Sequence, residues 1–366
     1  MEQVELATYL AQLGNRVDTR TGAINLPLYF STTYQHPGLG ESTGYDYTRT
    51  KNPTRAVLEE ALAVMEEGTC GFATSSGMSA IQIALQIFPQ GSAILAGRDL
   101  YGGSYRYFAD LEKRGFYQFT YAYQEADFLA ALNSPAKYTA VYLETPTNPM
   151  MQEFDIEKIA RAAHQKGAVV IVDNTFFTPY LQRPLTLGAD IVVHSATKYL
   201  AGHNDILAGA LVTDRADLAE KIAYQLNTTG AVLAPFDSWL LIRSLKTFLL
   251  RMRQHEANAQ KINAYLRSEP RVQEVFYPGH GGMLTFKVAE EVRIAEFLRQ
   301  LKLISFAESL GSVETLITYP ETQTHADIPE KLRRSYGLTP DVLRLSVGLE
   351  AADDLIKDLK HAFLAE

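Results

Sequence analysis

The chain has a single cysteine, Cys70, in 366 residues, which excludes an intramolecular disulfide framework. Lying between Thr69 and Gly71 at the head of an expected strand, it reads as a small buried filler rather than a nucleophile. No apolar run approaches the ~20 residues of a membrane span. The acidic start MEQVELATYL has neither the basic n-region nor the apolar core of a signal peptide, so a reducing cytoplasm is the expected compartment. Positive charge is also scarce, with a formal net charge of −8. The one local basic stretch, RSLKTFLLRMR over 243–253, has apolar residues at helical spacing and reads as a helix with one solvated or interface face. Neither nucleic acid, whose binding rests on clustered positive charge, nor a membrane is an expected partner. The chain also lacks internal repeats and low-complexity tracts.

What is present is an ordinary globular composition, 46% apolar and 21% charged, in a chain long enough for about two domains. Residues 1–50, rich in Gly, Thr and Pro and without sustained helical periodicity, are expected to form an extended arm. Asn52 and Pro53 supply an N-cap and a first-turn proline for a helix with Leu58, Leu62 and Met65 on one face and Gly68 as its stop. Over 51–235, short apolar runs (GFATSS, SAILAG, TAVYLET, AVVIVDN, ADIVVHS, ILAGALVTD) alternate with amphipathic segments. That pattern predicts an α/β domain, a mostly parallel sheet with helices on both faces. From 236 to 366 the texture changes to one long helical stretch, SWLLIRSLKTFLLRMRQHEANAQKINAYLRS, and then to alternating segments such as MLTFKV. A smaller α+β domain is expected there.

Ligands of such sheets bind beyond the carboxyl ends of the strands, so the residues after each apolar run carry most information. SSGMSA, 75–80, opens a helix whose free N–H groups suit a phosphate; alone it reads equally as a tight βα turn. No Gly-Lys-Ser/Thr follows, which argues against a nucleoside triphosphate. VVIVDN ends in Asp173, and the next run ends in HSATK with Ser195, Thr197 and Lys198. Separately, Asp173 and Lys198 read as an ion pair or as solvent-facing charges. A carboxylate, a lysine and a phosphate turn together are the requirements of pyridoxal phosphate: the lysine forms a Schiff base, the acid keeps the pyridine nitrogen protonated, and a helix N-terminus binds the phosphate. His194 and His203 lack a third ligand for a metal, and PGHGGM lacks the spacing of a dinucleotide fingerprint.

Eight blocks in order, GYDYTRTKNPT, SSGMSA, DLYGGSYR, ETPTNP, VDNTFFTP, HSATKYLAGHND, AESLGSVETLITYP and LRLSVGLE, resemble the cysteine/methionine-metabolism branch of the fold-type I pyridoxal phosphate transferases nearly end to end. The resemblance implies that Lys198 is the covalent lysine and proton shuttle, and that Asp173 is the partner of the pyridine nitrogen. It also makes Tyr101 the residue stacked on the ring and a helper in catalysis, with Gly77, Met78, Ser195 and Thr197 at the phosphate. Tyr47 and Arg49 would reach the phosphate of a neighbouring subunit, so the expected assembly is a homo-oligomer with shared sites, a homotetramer. Arg344 would clamp the substrate α-carboxylate, assisted by Asn148 and Ser309. As isolated residues, Arg344 reads as an ion-pair arginine and Asn148 as a turn residue. The chain has GHND where the family pattern has GHSD, and LAGALV where it has a Gly-Gly pair; neither change removes a catalytic group.

Fold and cofactor do not select the reaction. Glu308 in FAESLG resembles the γ-acting members, where an acid engages the distal part of the substrate or the incoming amino group; without the resemblance it is a solvated carboxylate near the cleft. Arg106 is a candidate for a distal carboxylate or acyl oxygen. The expected activity is γ-replacement, O-acyl-L-homoserine plus cysteine giving cystathionine in methionine biosynthesis and transsulfuration, with sulfide as a second acceptor giving homocysteine. Cystathionine β- or γ-cleavage is the alternative, and a non-catalytic pyridoxal-phosphate-binding protein is the rival of another class.

Overall fold

Burial on both faces is what assembles the apolar runs into a sheet. The computed structural model describes residues 4–290 and 292–364; residues 1–3 of the expected arm and 365–366 of the expected C-terminal domain lie outside them. Seven strands, β1 (Cys70–Thr74), β2 (Ala93–Gly97), β3 (Gln118–Ala122), β4 (Ala140–Glu144), β5 (Val169–Asp173), β6 (Ile191–His194) and β7 (Gly209–Thr213), form one sheet in the order β1-β7-β6-β5-β4-β2-β3. All neighbours are parallel except those of β7, which runs antiparallel to both β1 and β6. The helices Gly77–Gln86, Gly102–Lys113 and Ala216–Thr229 cover one face through Ile83, Phe108 and Ile222. Pro53–Met65, Ile156–His164 and Pro235–Leu245 cover the other through Leu58, Ile159 and Leu241. The expected mostly parallel α/β sheet with helices on both faces is therefore what forms.

Asn52 caps its helix as the sequence suggests, its side chain accepting from the N–H groups of Thr54 and Arg55. The edge strand β3 was not legible, because QFTYA alternates exposed and half-buried positions and has no continuous apolar run. Cys70 is half-buried rather than a buried filler, since it stands at the open end of β1. The arm is not wholly extended: Leu6–Ala11 is a short helix whose Leu10 joins the main core, and Leu26 O accepts from Trp239 Nε1 at 3.0 Å.

The second sheet contains β8 (Val272–Phe276), β9 (Met283–Val288), β10 (Ser305–Phe306), β11 (Leu316–Thr318) and β12 (Val342–Ser346) in the order β10-β11-β12-β9-β8. The single long helix expected from 238 onwards is two helices, Pro235–Leu245 and Phe248–Ser268. Phe248 and Met252 belong to the core of the first sheet and Ala259, Ile262 and Leu266 to that of the second. The handover between cores thus falls inside one helix, beyond the boundary expected at 236. This shared helix fixes the second sheet beside the carboxyl ends of β4, β5 and β6.

Candidate active site

A cavity of about 220 Å³ opens where the two sheets meet. Every site residue expected from the sequence lines it except Tyr47, Arg49 and Arg106.

The lysine is delivered by a loop closed at its neck. Thr197 N and Oγ1 each lie 3.1 Å from Ala208 O, and Ala208 N donates to Thr197 Oγ1 at 2.9 Å. Lys198 O accepts from Gly202 N at 2.8 Å, and the buried Arg251 guanidinium donates to the carbonyls of Tyr199 and Leu200 at 2.7 and 3.1 Å. Gly202 has φ +73°, and a Cβ there would lie 2.1 Å from Arg251 Nη1, so only glycine satisfies both the backbone and the space. Further out, Asn204 has φ +54° and its amide donates to Glu314 Oε2 at 3.0 Å. Lys198 itself is half-buried, and its Nζ donates to Ser309 Oγ at 3.1 Å. Desolvation, reinforced by the Arg344 cation, pushes its pKa down to about 8, with the Glu308 carboxylate acting in the opposite sense.

At one end of the cavity the helix Gly77–Gln86 begins. Its cap, Ser76, accepts from Ser79 N, and the first N–H groups have no intrahelical acceptor. A Cβ on Gly77 would lie 2.7 Å from Ser195 Cβ, so the helix start and the end of β6 make a close cradle of N–H groups and hydroxyls. Across the cavity floor, Asp173 Oδ1 accepts from Thr175 N at 3.0 Å and Oδ2 from the Tyr142 hydroxyl at 3.3 Å. Burial raises its pKa, and the Thr175 bonds act against that. His194, just before Ser195, is locked structurally: its Nε2 lies 2.5 Å from Glu66 Oε1, which also accepts from Asn174 Nδ2 at 2.9 Å. This donor set fits pyridoxal phosphate, with neutral anion donors at one end, a buried carboxyl at the other and an amine of depressed pKa between them.

The second sheet contributes a guanidinium to the cavity wall. Arg344 on β12 is buried; its Nη1 donates to Asn148 Oδ1 at 2.8 Å and its Nη2 to Ser309 O and Thr318 Oγ1, both at 3.2 Å. Among the described residues no carboxylate pairs with it, and burial pushes its pKa down to about 10. A guanidinium held only by neutral acceptors at a cavity wall suits a substrate carboxylate. Asn148 is held in turn by His325, whose Nε2 lies 2.9 Å from Asn148 O and whose burial pushes its pKa down to about 4, leaving it neutral. Glu308 is exposed at the cavity wall.

Three expectations fall elsewhere. Arg106 is exposed and bonded to Asp327 at 2.7 Å, so it does not line the cavity; its partner lies 221 residues away in sequence and gave no signal there. Tyr47 and Arg49 lie on the exposed arm, with Arg49 Nη1 donating to Asn227 O at 2.7 Å. Sequence reasoning missed Glu144, Thr175 and Ser76, which line the cavity. The signal was available for the first, because Glu144 ends an apolar strand by the same rule that found Asp173. Among the described residues no group of three or more His, Cys, Asp or Glu side chains could hold a metal ion, and no helix is long and apolar enough to cross a membrane.

Residues 7–364 match the family model described as Cys/Met metabolism PLP-dependent enzyme. A Bacillus subtilis cystathionine gamma-synthase/O-acetylhomoserine (thiol)-lyase is 54% identical, over 97% of this chain and 95% of its own length. A cystathionine gamma-lyase of the same organism is 43% identical, over 94% of this chain and 95% of its own length. A crystal structure of the cystathionine gamma synthase of Xanthomonas oryzae, in complex with aminoacrylate and cysteine, superposes with a TM-score of 0.95 at 36% identity, covering 99% of this chain and 98% of that one.

Proposed function

Because the chain belongs to the Cys/Met metabolism enzymes that depend on pyridoxal phosphate, we propose that it catalyses γ-replacement on an O-acyl-L-homoserine. Cysteine is the acceptor that gives cystathionine, and sulfide a second acceptor that gives homocysteine. The reaction belongs to methionine biosynthesis and transsulfuration, in the cytoplasm, and the working form is a homotetramer in which Tyr47 and Arg49 of the arm complete the phosphate site of a neighbouring subunit.

In this reading the N–H groups of Gly77 and Met78 and the hydroxyls of Ser195 and Thr197 hold the cofactor phosphate. Asp173 faces the ring nitrogen, and Tyr101 lies against the ring. Bound there, the cofactor supplies an electron sink for negative charge that develops at the α- and β-carbons of the substrate. Arg344 and Asn148 fix the substrate α-carboxylate and so aim its Cα–H at Lys198. The Lys198 amine, whose pKa of about 8 leaves a useful neutral fraction near neutral pH, takes the α-proton and moves protons between Cα and Cβ. Tyr101 assists that transfer. The acyloxy group leaves from Cγ, and the acceptor sulfur bonds to the same carbon.

The observation that carries the choice of reaction is Glu308: its carboxylate lines the cavity that holds Lys198, which supports a role in receiving the ammonium of an incoming amino acid. The 54% identical relative supports the same choice. A lyase reading is supported by the 43% identical gamma-lyase. Incubating the cofactor-loaded enzyme with O-acetylhomoserine and cysteine decides between them. Acetate release with cystathionine formation is the expected result; no acetate release, together with consumption of cystathionine supplied in a separate assay, replaces γ-replacement by γ-cleavage if the products are 2-oxobutyrate, ammonia and cysteine, and by β-cleavage if they are pyruvate, ammonia and homocysteine.

A further inference from the structure

We propose that Glu144 works as a neutral carboxylic acid and a positioning residue: it holds the Tyr101 backbone at the cavity and leaves the negative charge of the Glu144–Asp173 pair on Asp173. The inference rests on the cofactor placement above and is independent of which acceptor is used.

Glu144 and Asp173 are paired in register at the carboxyl ends of the adjacent parallel strands β4 and β5. Paired positions of neighbouring strands present their side chains on the same side of the sheet, and both carboxyls are buried and line the cavity. Two carboxylates so placed cannot both keep their charge, as each would have to bear the other's field in a poorly screened site. The donors around them decide which one does. Asp173 receives the Thr175 N–H and the Tyr142 hydroxyl, and the Thr175 side chain also favours its ionised form. Glu144 receives one donor, Tyr101 N, at 3.0 Å on Oε2.

The other charges facing Glu144 do not reverse this. Asp99, after β2, opposes its ionisation, while Arg344 favours it only weakly and is already bonded to Asn148. Burial first and Asp173 second raise the Glu144 pKa well above the usual carboxylate range. A neutral Glu144 still accepts from Tyr101 N, the residue that opens the helix Gly102–Lys113 and stands over the cavity. One side chain therefore fixes the aromatic residue on one side and preserves the anion meant for the ring nitrogen on the other.

Infrared spectroscopy of the cofactor-free protein reads the proton directly. A carboxylic-acid carbonyl band at neutral pH that shifts on isotope labelling of glutamate and disappears in Glu144→Gln is expected. Identical spectra for wild type and Glu144→Gln, or a band that shifts only with labelled aspartate, overturn the proposal. Cofactor affinity gives a second readout. Glu144→Gln, an amide of the same shape, should stay within about twofold of wild type, and Glu144→Ala should bind roughly 5- to 150-fold more weakly because it leaves the Tyr101 N–H without its acceptor. Equal losses in the two variants mean that Glu144 works as an anion, which sinks the inference while leaving the γ-replacement assay untouched.

Discussion

Arg344 Nη1 donates to Asn148 Oδ1 at 2.8 Å, joining the second sheet to the loop that follows β4. The second sheet and the loop after β4 thus each contribute a polar side chain to one wall of the cavity. The guanidinium is planar, and no carboxylate among the described residues neutralises it, so lysine is a poor replacement.

Arg344→Lys should therefore lose about 1.5–3 kcal/mol of binding to the substrate carboxylate, roughly 10- to 150-fold in kcat/KM. The visible absorption of the bound cofactor should be unchanged. Steady-state kinetics together with that spectrum check the prediction; a lost cofactor band would point to a structural role instead.

The Lys198 pKa of about 8 fixes a pH dependence. Its neutral form, the one that bonds to an aldehyde, is depleted about tenfold per pH unit below that value. Reloading of cofactor-free protein with pyridoxal phosphate should accelerate as pH rises toward about 8 and level off above. Glu308 stabilises the ammonium, so Glu308→Gln should move the midpoint to lower pH. A stopped-flow pH series on both proteins tests the sign.

Glu308→Gln should also separate the acceptors. Cysteine carries an ammonium and sulfide does not, so KM for cysteine should rise roughly 2- to 5-fold, the range for an exposed charge pair, while KM for sulfide stays unchanged. Parallel assays with O-acetylhomoserine as donor provide the comparison.

Arg106→Ala should alter kcat/KM by less than about twofold, because its guanidinium is spent on an exposed pair with Asp327, an interaction of about 0–1 kcal/mol. A large rise in KM for the acylhomoserine would return Arg106 to the substrate site.

What the sequence revealed follows from which forces act locally. Continuous apolar runs marked β1, β2, β4, β5, β6 and β7, and the ends of β5 and β6 delivered Asp173, Ser195, Thr197 and Lys198 to one cavity. The edge strand β3 was hidden because exposed and half-buried residues alternate along it and break up any apolar run. The phosphate turn gained meaning only beside Lys198, since a helix start alone is also an ordinary turn. Arg344 was recognisable only through resemblance: LRLSVG has no local feature separating a carboxylate clamp from an ion-pair arginine, and its partners Asn148 and Thr318 lie far off in the chain. The handover between cores was not legible because the helix Phe248–Ser268 is apolar toward both.

The closed neck between Thr197 and Ala208 has a consequence for how this chain can change. Hydrogen bonds at the neck set the base of the loop, and the Arg251 contacts hold the turn after Lys198. At φ +54° the Asn204 position favours asparagine, and its amide donates to Glu314 Oε2. The backbone at Asn204 therefore restricts what can replace it, and a substitution there removes the Glu314 contact while leaving the hydrogen bonds around Lys198 in place.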